Sequence, residues 1–186
     1  MLSPTEVHQL HVGADKGDAE AQYTLGGAHY NGNGVLRNLA EGARWLQMAA
    51  ANGHARAQCD LGVMYLKKGS GVEQNYGEAL KWLRRAAMKG DALAFHNLGS
   101  VYTTGFRDQS VGFFDRVRYA SMTSDHVQAY KWFTLAAERG YATSMRDRSL
   151  IEKRMSPHQI ERAKRMIREF NGATNPWVDG WGKPYE

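Results

Sequence analysis

WLRRAAMKGDALAFHNLG, residues 82–99, is one of three versions of the same phrase. Residues 45–62 read WLQMAAANGHARAQCDLG, and residues 132–148 read WFTLAAERGYATSMRDR. In each, a Trp is followed by Ala-Ala four and five places on and by Gly at eight. A fixed internal period marks a stack of like units, because a single short unit cannot bury its apolar face alone. Gly-x-Ala recurs at Gly17, Gly53, Gly90 and Gly140, in steps of 36, 37 and 50 residues. The first two steps are one period, and the third is that period with an insertion.

Within a period the spacing is helical. Leu25-Gly26, Leu61-Gly62 and Leu98-Gly99 stand eight places after their Gly, and His29, Tyr65 and Tyr102 follow four further on. Ala, Leu and aromatic residues at i, i+4 form one apolar stripe, here named helix A. A turn follows, NGNGV at 31–35 and KGSGV at 68–72. Helix B then carries Gly42/Trp45/Ala49 or Ala79/Trp82/Ala86. Trp fills the space between helices and Ala-Ala lets backbones approach. The Gly after helix B is suited to the left-handed conformation that ends a helix.

These residues resemble the Sel-1-like repeat (SLR) family, relatives of the tetratricopeptide repeats. The resemblance rests on LGxxY, GxGV and WxxxAAxxG together, in 19–53, 55–90 and 92–140. His29 replaces a usual Tyr, Gly42 a usual Ala, and an insert replaces the third turn. The resemblance implies an all-α, right-handed solenoid of antiparallel helix pairs. The expected organisation of 1–170 is a half-repeat helix at 1–16 and repeats at 17–53, 54–90 and 91–140. A capping helix pair at 141–170 and an aromatic tail at 171–186 complete it.

Ser3-Pro4-Thr5-Glu6 and Ser156-Pro157-His158-Gln159 are both capping boxes with Pro at the first helical position. They predict helices to Lys16 and to about Phe170. In the tail, Trp177, Trp181 and Tyr185 are interrupted by Gly and Pro, which excludes a regular helix.

Charged residues at 23% and hydrophobic residues at 42% fit a folded protein rather than a disordered one. No stretch reaches the roughly 18 apolar residues of a membrane span. MLSPTEVHQLHVGADKG lacks the basic and apolar regions of a leader. The expected location is cytoplasmic if the chain is complete, and periplasmic or secreted if a signal peptide has been trimmed. One cysteine, Cys59, permits no internal disulfide. Of the net charge of +5, most sits in 145–170, where eight bases face four acids. The acids are interspersed, unlike a nucleic-acid face, so a solvated end face is expected and no nucleic-acid partner.

Catalytic, metal and cofactor sites are not expected. GNGVLR and GSGVEQ do not complete a phosphate loop. His8, His11 and Asp15 share one helix face but lack a fourth ligand. Cys59 and His96 occupy one repeat position, yet nothing visible activates the thiol.

The resemblance implies protein or peptide binding. Its register places helix A residues on a concave surface: Glu20, Tyr23, Thr24, Gly27 and Tyr30; Arg56, Cys59, Asp60, Val63 and Lys67; Leu93, His96, Asn97, Ser100 and Thr103. Asn97 matches an Asn whose amide can hold an extended peptide backbone. A second candidate surface is the insertion, about 106–125. It combines Phe106, Phe113, Phe114 and Tyr119 with Arg107, Arg116 and Arg118, a composition typical of interface hot spots. Family members are commonly adaptors in bacterial signalling, envelope regulation or host contact. The expected role is a non-catalytic, monomeric adaptor or scaffold. The alternatives are an immunity or inhibitor protein that blocks an effector, and a hydrolase or binder of small molecules or peptidoglycan fragments.

Overall fold

The computed structural model describes residues 1–104 and 125–173, and the described residues are helical with turns. The chain divides into two compact units, Met1–Lys89 and Gly90–Glu186. The first holds α1 (Pro4–Asp15), α2 (Ala19–Asn31), α3 (Leu39–Ala51), α4 (Ala55–Tyr65) and α5 (Tyr76–Met88). The second holds α6 (Ala92–Thr104), α7 (His126–Glu138), α8 (Thr143–Glu152) and α9 (Pro157–Gly172). The pattern of helix A and helix B is realised as α2 on α3, α4 on α5 and α6 on α7.

Helix starts follow the expected chemistry. Ser3 and Ser156 close reciprocal capping boxes with Glu6 and Gln159. Asn38 and Asn75, one period apart, accept from the backbone N–H of Glu41 and Glu78 at 3.1 and 3.0 Å. His54 is a less usual cap: its Nδ1 accepts from the Ala57 N–H at 3.0 Å. The stops are uniform, with Gly17, Gly53, Gly90 and Gly140 all at φ between 83° and 89°.

The Gly of each Leu-Gly pair sets how closely the two helices of a repeat approach. A Cβ on Gly26 would lie 2.7 Å from Leu46 Cγ, and one on Gly62 would lie 2.7 Å from Leu83 Cγ. At Gly99 the collision would be with the Phe133 ring, at 2.6 Å. Leu46, Leu83 and Phe133 each follow the repeat Trp, so one contact recurs three times. Gly42 tightens the first repeat further, since a Cβ there would meet the Gly26 carbonyl at 2.9 Å.

Two buried glutamines were not foreseen. Gln22 and Gln58 donate from Nε2 to the Ala14 and Ala50 carbonyls, both at 2.9 Å. Each ties a helix A to the end of the preceding helix B, adding a side-chain donor to a carbonyl that also accepts the N–H of Gly17 or Gly53. In the third repeat that position is Phe95, which packs with Trp132 and Phe170. Trp45 and Trp132 are buried as expected, whereas Trp82 is half-buried.

Candidate functional site: two grooves between A-type helices

In the first unit, α2 and α4 flank a groove of about 520 Å³. Its wall contains seven of the expected positions: Tyr23, Thr24, Gly27 and Tyr30 from α2, Asp60 and Val63 from α4, and Lys67 just after it. Ala28, Leu46 and Met64 add apolar surface, and Leu2, Asn31 and Asn33 also line it; these six were not anticipated. Leu2 is fixed there by its N–H, which donates to Asn33 Oδ1 at 3.0 Å.

A polar cluster borders this groove. The Tyr23 ring stacks on His54 with centroids 4.4 Å apart, and its hydroxyl donates to Asp60 Oδ2 at 3.1 Å. Burial, and then the Asp60 carboxylate beside it, hold the Tyr23 phenol above its ordinary range, so it remains a donor. Because His54 Nδ1 accepts the Ala57 N–H, Nε2 carries the ring proton and donates to Glu20 at 3.0 Å. Glu20 and Arg56 are exposed and stand outside the groove lining.

Cys59 corrects the expected register. It is completely buried in α4 and lines no groove. Tyr23, at the same repeat position with a longer side chain, is half-buried and lines the first groove.

The second unit has a groove of about 340 Å³ lined by Ser100, Thr103, Phe133, Asp147, Leu150, Ile151 and Arg154. Ser100 and Thr103 were expected; His96, Asn97 and Leu93 are half-buried and outside the lining. The α8 residues were missed because 141–170 was read as a polar cap.

His96 Nδ1 lies 3.0 Å from Ser144 Oγ and 3.7 Å from Asp147 Oδ2. These three residue types suggest a hydrolytic triad, but the geometry is wrong. A triad needs the hydroxyl and the carboxylate on different ring nitrogens, and here both converge on Nδ1. Ser144 is also fully buried.

Burial holds the His96 imidazole below its ordinary range, with Asp147 pulling weakly the other way. The unfolded chain then binds this proton more readily than the folded one. Stability from His96 is full above pH 6.5 or so, and is lost as pH falls from there through the lowered folded value. Thermal midpoints of wild type and His96→Asn should therefore converge between about pH 7.5 and 5. A constant difference over that range would remove His96 from the acid response.

The insertion residues Phe106, Arg107, Phe113, Phe114, Arg116, Arg118 and Tyr119 lie outside the described residues, as does the tail beyond 173. Among the described residues no group of three or more His, Cys, Asp or Glu could hold a metal ion. His8 is exposed, while His11 packs edge-on to Trp45 at 5.8 Å. No described helix is long and apolar enough to cross a membrane.

The Sel1 repeat model matches residues 19–54, 55–91 and 120–141, together just over half of the chain. No curated protein matches it. Among solved structures, the chain is similar to a Sel1 repeat protein from Oxalobacter formigenes. The two are 32% identical with a TM-score of 0.59, over 76% of this chain and 96% of that one. It is also similar to a protective antigen of uropathogenic Escherichia coli strains displaying an SLR fold. There the identity is 25% and the TM-score 0.50, over 88% of this chain but 40% of the antigen. Repeated helix pairs, their shared contacts and these matches lead to one conclusion: the chain belongs to the Sel1 repeat family, with an all-α helical-repeat solenoid fold.

Proposed function

We propose that this protein is a non-catalytic adaptor that holds an extended peptide segment of a partner protein in the α2/α4 groove. Sel1 repeats are generally protein–protein interaction modules. The observation that carries the finer reading is the composition of the groove. Its lining combines Gly27, Ala28, Leu46, Val63 and Met64 with Thr24, Tyr30, Asn31 and Asn33. An extended peptide needs this combination, apolar surface for alternate side chains and polar groups for its backbone. The 106–125 insertion, with its Phe and Arg residues, is a second surface on which the same partner would be gripped.

Gly27 provides the test. It lies inside α2, and nothing lies within 4 Å of where its Cβ would be. Gly27→Ala should therefore raise stability by about 0.5–1 kcal/mol, the helix-interior cost of Gly, as read by urea denaturation. Gly27→Trp should fold and fill the groove. Random peptides selected on wild-type protein should shift backbone amides of the groove residues in nuclear magnetic resonance spectra. Gly27→Trp should abolish the shifts in α2 and α4. Selected peptides that shift only other surfaces, or selections that yield no shared sequence, would overturn the reading.

A further inference from the structure

The two grooves are built at the same places in the repeat. From α4 and the turn after it the first takes Asp60, Val63, Met64 and Lys67; from α8 and the turn after it the second takes Asp147, Leu150, Ile151 and Arg154. Each of the second four stands 87 residues after its counterpart, as Gly140 does after Gly53. Leu46 and Phe133, the large apolar side chains supplied by helix B, are also 87 apart. On the facing helices, Gly27 and Tyr30 correspond to Ser100 and Thr103, both 73 apart.

In each, a ring from the facing helix lies beside the acid, hydrogen-bonded in the first and not in the second. Tyr23 donates to Asp60 at 3.1 Å, and the His96 ring nitrogen lies 3.7 Å from Asp147. Tyr23 and His96 are themselves 73 residues apart. Acid and aliphatic pair at i, i+3 and i+4 share one face of the helix, and the base at i+7 follows two residues past the helix end. The pattern is thus duplicated with its chemistry intact although the identities differ: Val-Met against Leu-Ile, Lys against Arg.

We propose that each unit binds the same class of peptide, an extended segment that carries an apolar side chain and a nearby carboxylate, so that one chain takes two copies of one motif. This rests on the groove reading above and names its ligand. The aliphatic pair receives the apolar side chain. The exposed base just past the helix end, Lys67 or Arg154, receives the carboxylate in a charge-assisted hydrogen bond. Asp60 or Asp147 at the opposite end of the pattern repels a carboxylate there, which sets the direction of the peptide. Arg154 can grip both oxygens of the carboxylate where Lys67 offers a point charge, so the second groove discriminates more sharply.

The test uses the full isotope-labelled chain and two capped probes, acetyl-Ala-Leu-Ser-Glu-Ala-amide and its counterpart with Lys in place of Glu. The Glu peptide should shift two sets of amides, around Val63–Lys67 and around Leu150–Arg154. The Lys peptide should bind each about five- to tenfold more weakly, the effect of exchanging an exposed ion pair for a like-charge contact. Lys67→Glu should weaken only the first set, by a similar factor, and Arg154→Glu only the second, the unaffected set reporting that the variant is folded. Equal binding of both probes would overturn the charge rule while leaving groove binding intact. Shifts in one set alone would overturn the equivalence of the grooves. No shifts at about 5 mM of either probe, at the weak end of specific recognition, would overturn this inference and leave the selection experiment to decide the groove reading separately.

Discussion

Trp132→Ala is expected to remove about 3–5 kcal/mol of stability, the range for truncating a buried Trp. The indole is only 5% exposed and lies between two helices besides its own. Phe95 of α6 is 5.9 Å away and Phe170 of α9 is 5.7 Å away, the latter edge-on at 80°. Phe95 and Phe170 also meet directly at 6.2 Å, so three rings form a closed cluster. Phe170 belongs to the stripe Ala163, Ile167, Phe170, by which α9 buries one side. Removing the indole therefore leaves a cavity and deprives α9 of its aromatic seat on α7. Urea denaturation followed by circular dichroism measures the loss. Trp132→Phe should recover more than half of it, since a ring remains to meet both partners. Trp82→Ala is the internal control. It sits at the same repeat position but is half-buried, so its cost should be clearly smaller. A Trp132→Ala loss below about 1 kcal/mol would mean that the cluster relaxes to fill the hole.

The fold was legible because independent signals coincide at each repeat. The phrase at 45–53, 82–90 and 132–140 places a bulky ring, two small residues and a stop at fixed helical intervals. Each has a local physical meaning: Gly17, Gly53, Gly90 and Gly140 all adopt the left-handed backbone that the stop requires. Local chemistry also foretold the capping boxes at Ser3 and Ser156. What local chemistry cannot reveal is a partner distant in sequence. Gln22 reads as a surface residue of an amphipathic helix, and only the position of the Ala14 carbonyl explains its burial. Likewise Leu2 reads as a frayed end, although Asn33 fixes it across a groove.

The site was legible in part, for a related reason. The register carried forward from Gly17 and Gly53 located most of the α2/α4 groove. Carried forward from Gly140 it would also have reached Asp147, Leu150 and Arg154. The dense charge of 145–170 hid that signal, since acids and bases in alternation read as solvated. Register also says nothing about depth. Tyr23, Cys59 and His96 share one repeat position, yet the short thiol is enclosed in the core while the two rings reach the acids that border the grooves. Length of side chain, not position alone, decides which of them a ligand would meet.

The turn KGSGV contains two glycines with left-handed backbone and very different surroundings, and Gly71→Ala is expected to cost about 3–4 kcal/mol where Gly69→Ala costs about 1–2. Gly69 has φ +71° and open space where a Cβ would be, so a side chain there suffers only the backbone penalty. Gly71 has φ +98°, and its Cβ would collide with the Leu39 carbonyl and approach Ala43 Cβ at 3.3 Å. Leu39 opens α3, the helix B of the preceding repeat, and its carbonyl is backbone that cannot rotate aside. The same arrangement occurs one period earlier, where a Cβ on Gly34 would lie 2.5 Å from the Leu2 carbonyl oxygen. Leu2 and Leu39 are 37 residues apart, as are Gly34 and Gly71. The second Gly of GxGV is thus the point where one repeat's turn rests on the backbone of the repeat before it. Urea midpoints of the two alanine variants, at unchanged denaturant slope, separate the steric effect from the conformational one. Equal losses would reduce the motif to a turn preference. A clearly larger loss at Gly71 would make it a stacking contact, the reason the turn as well as the helices repeats.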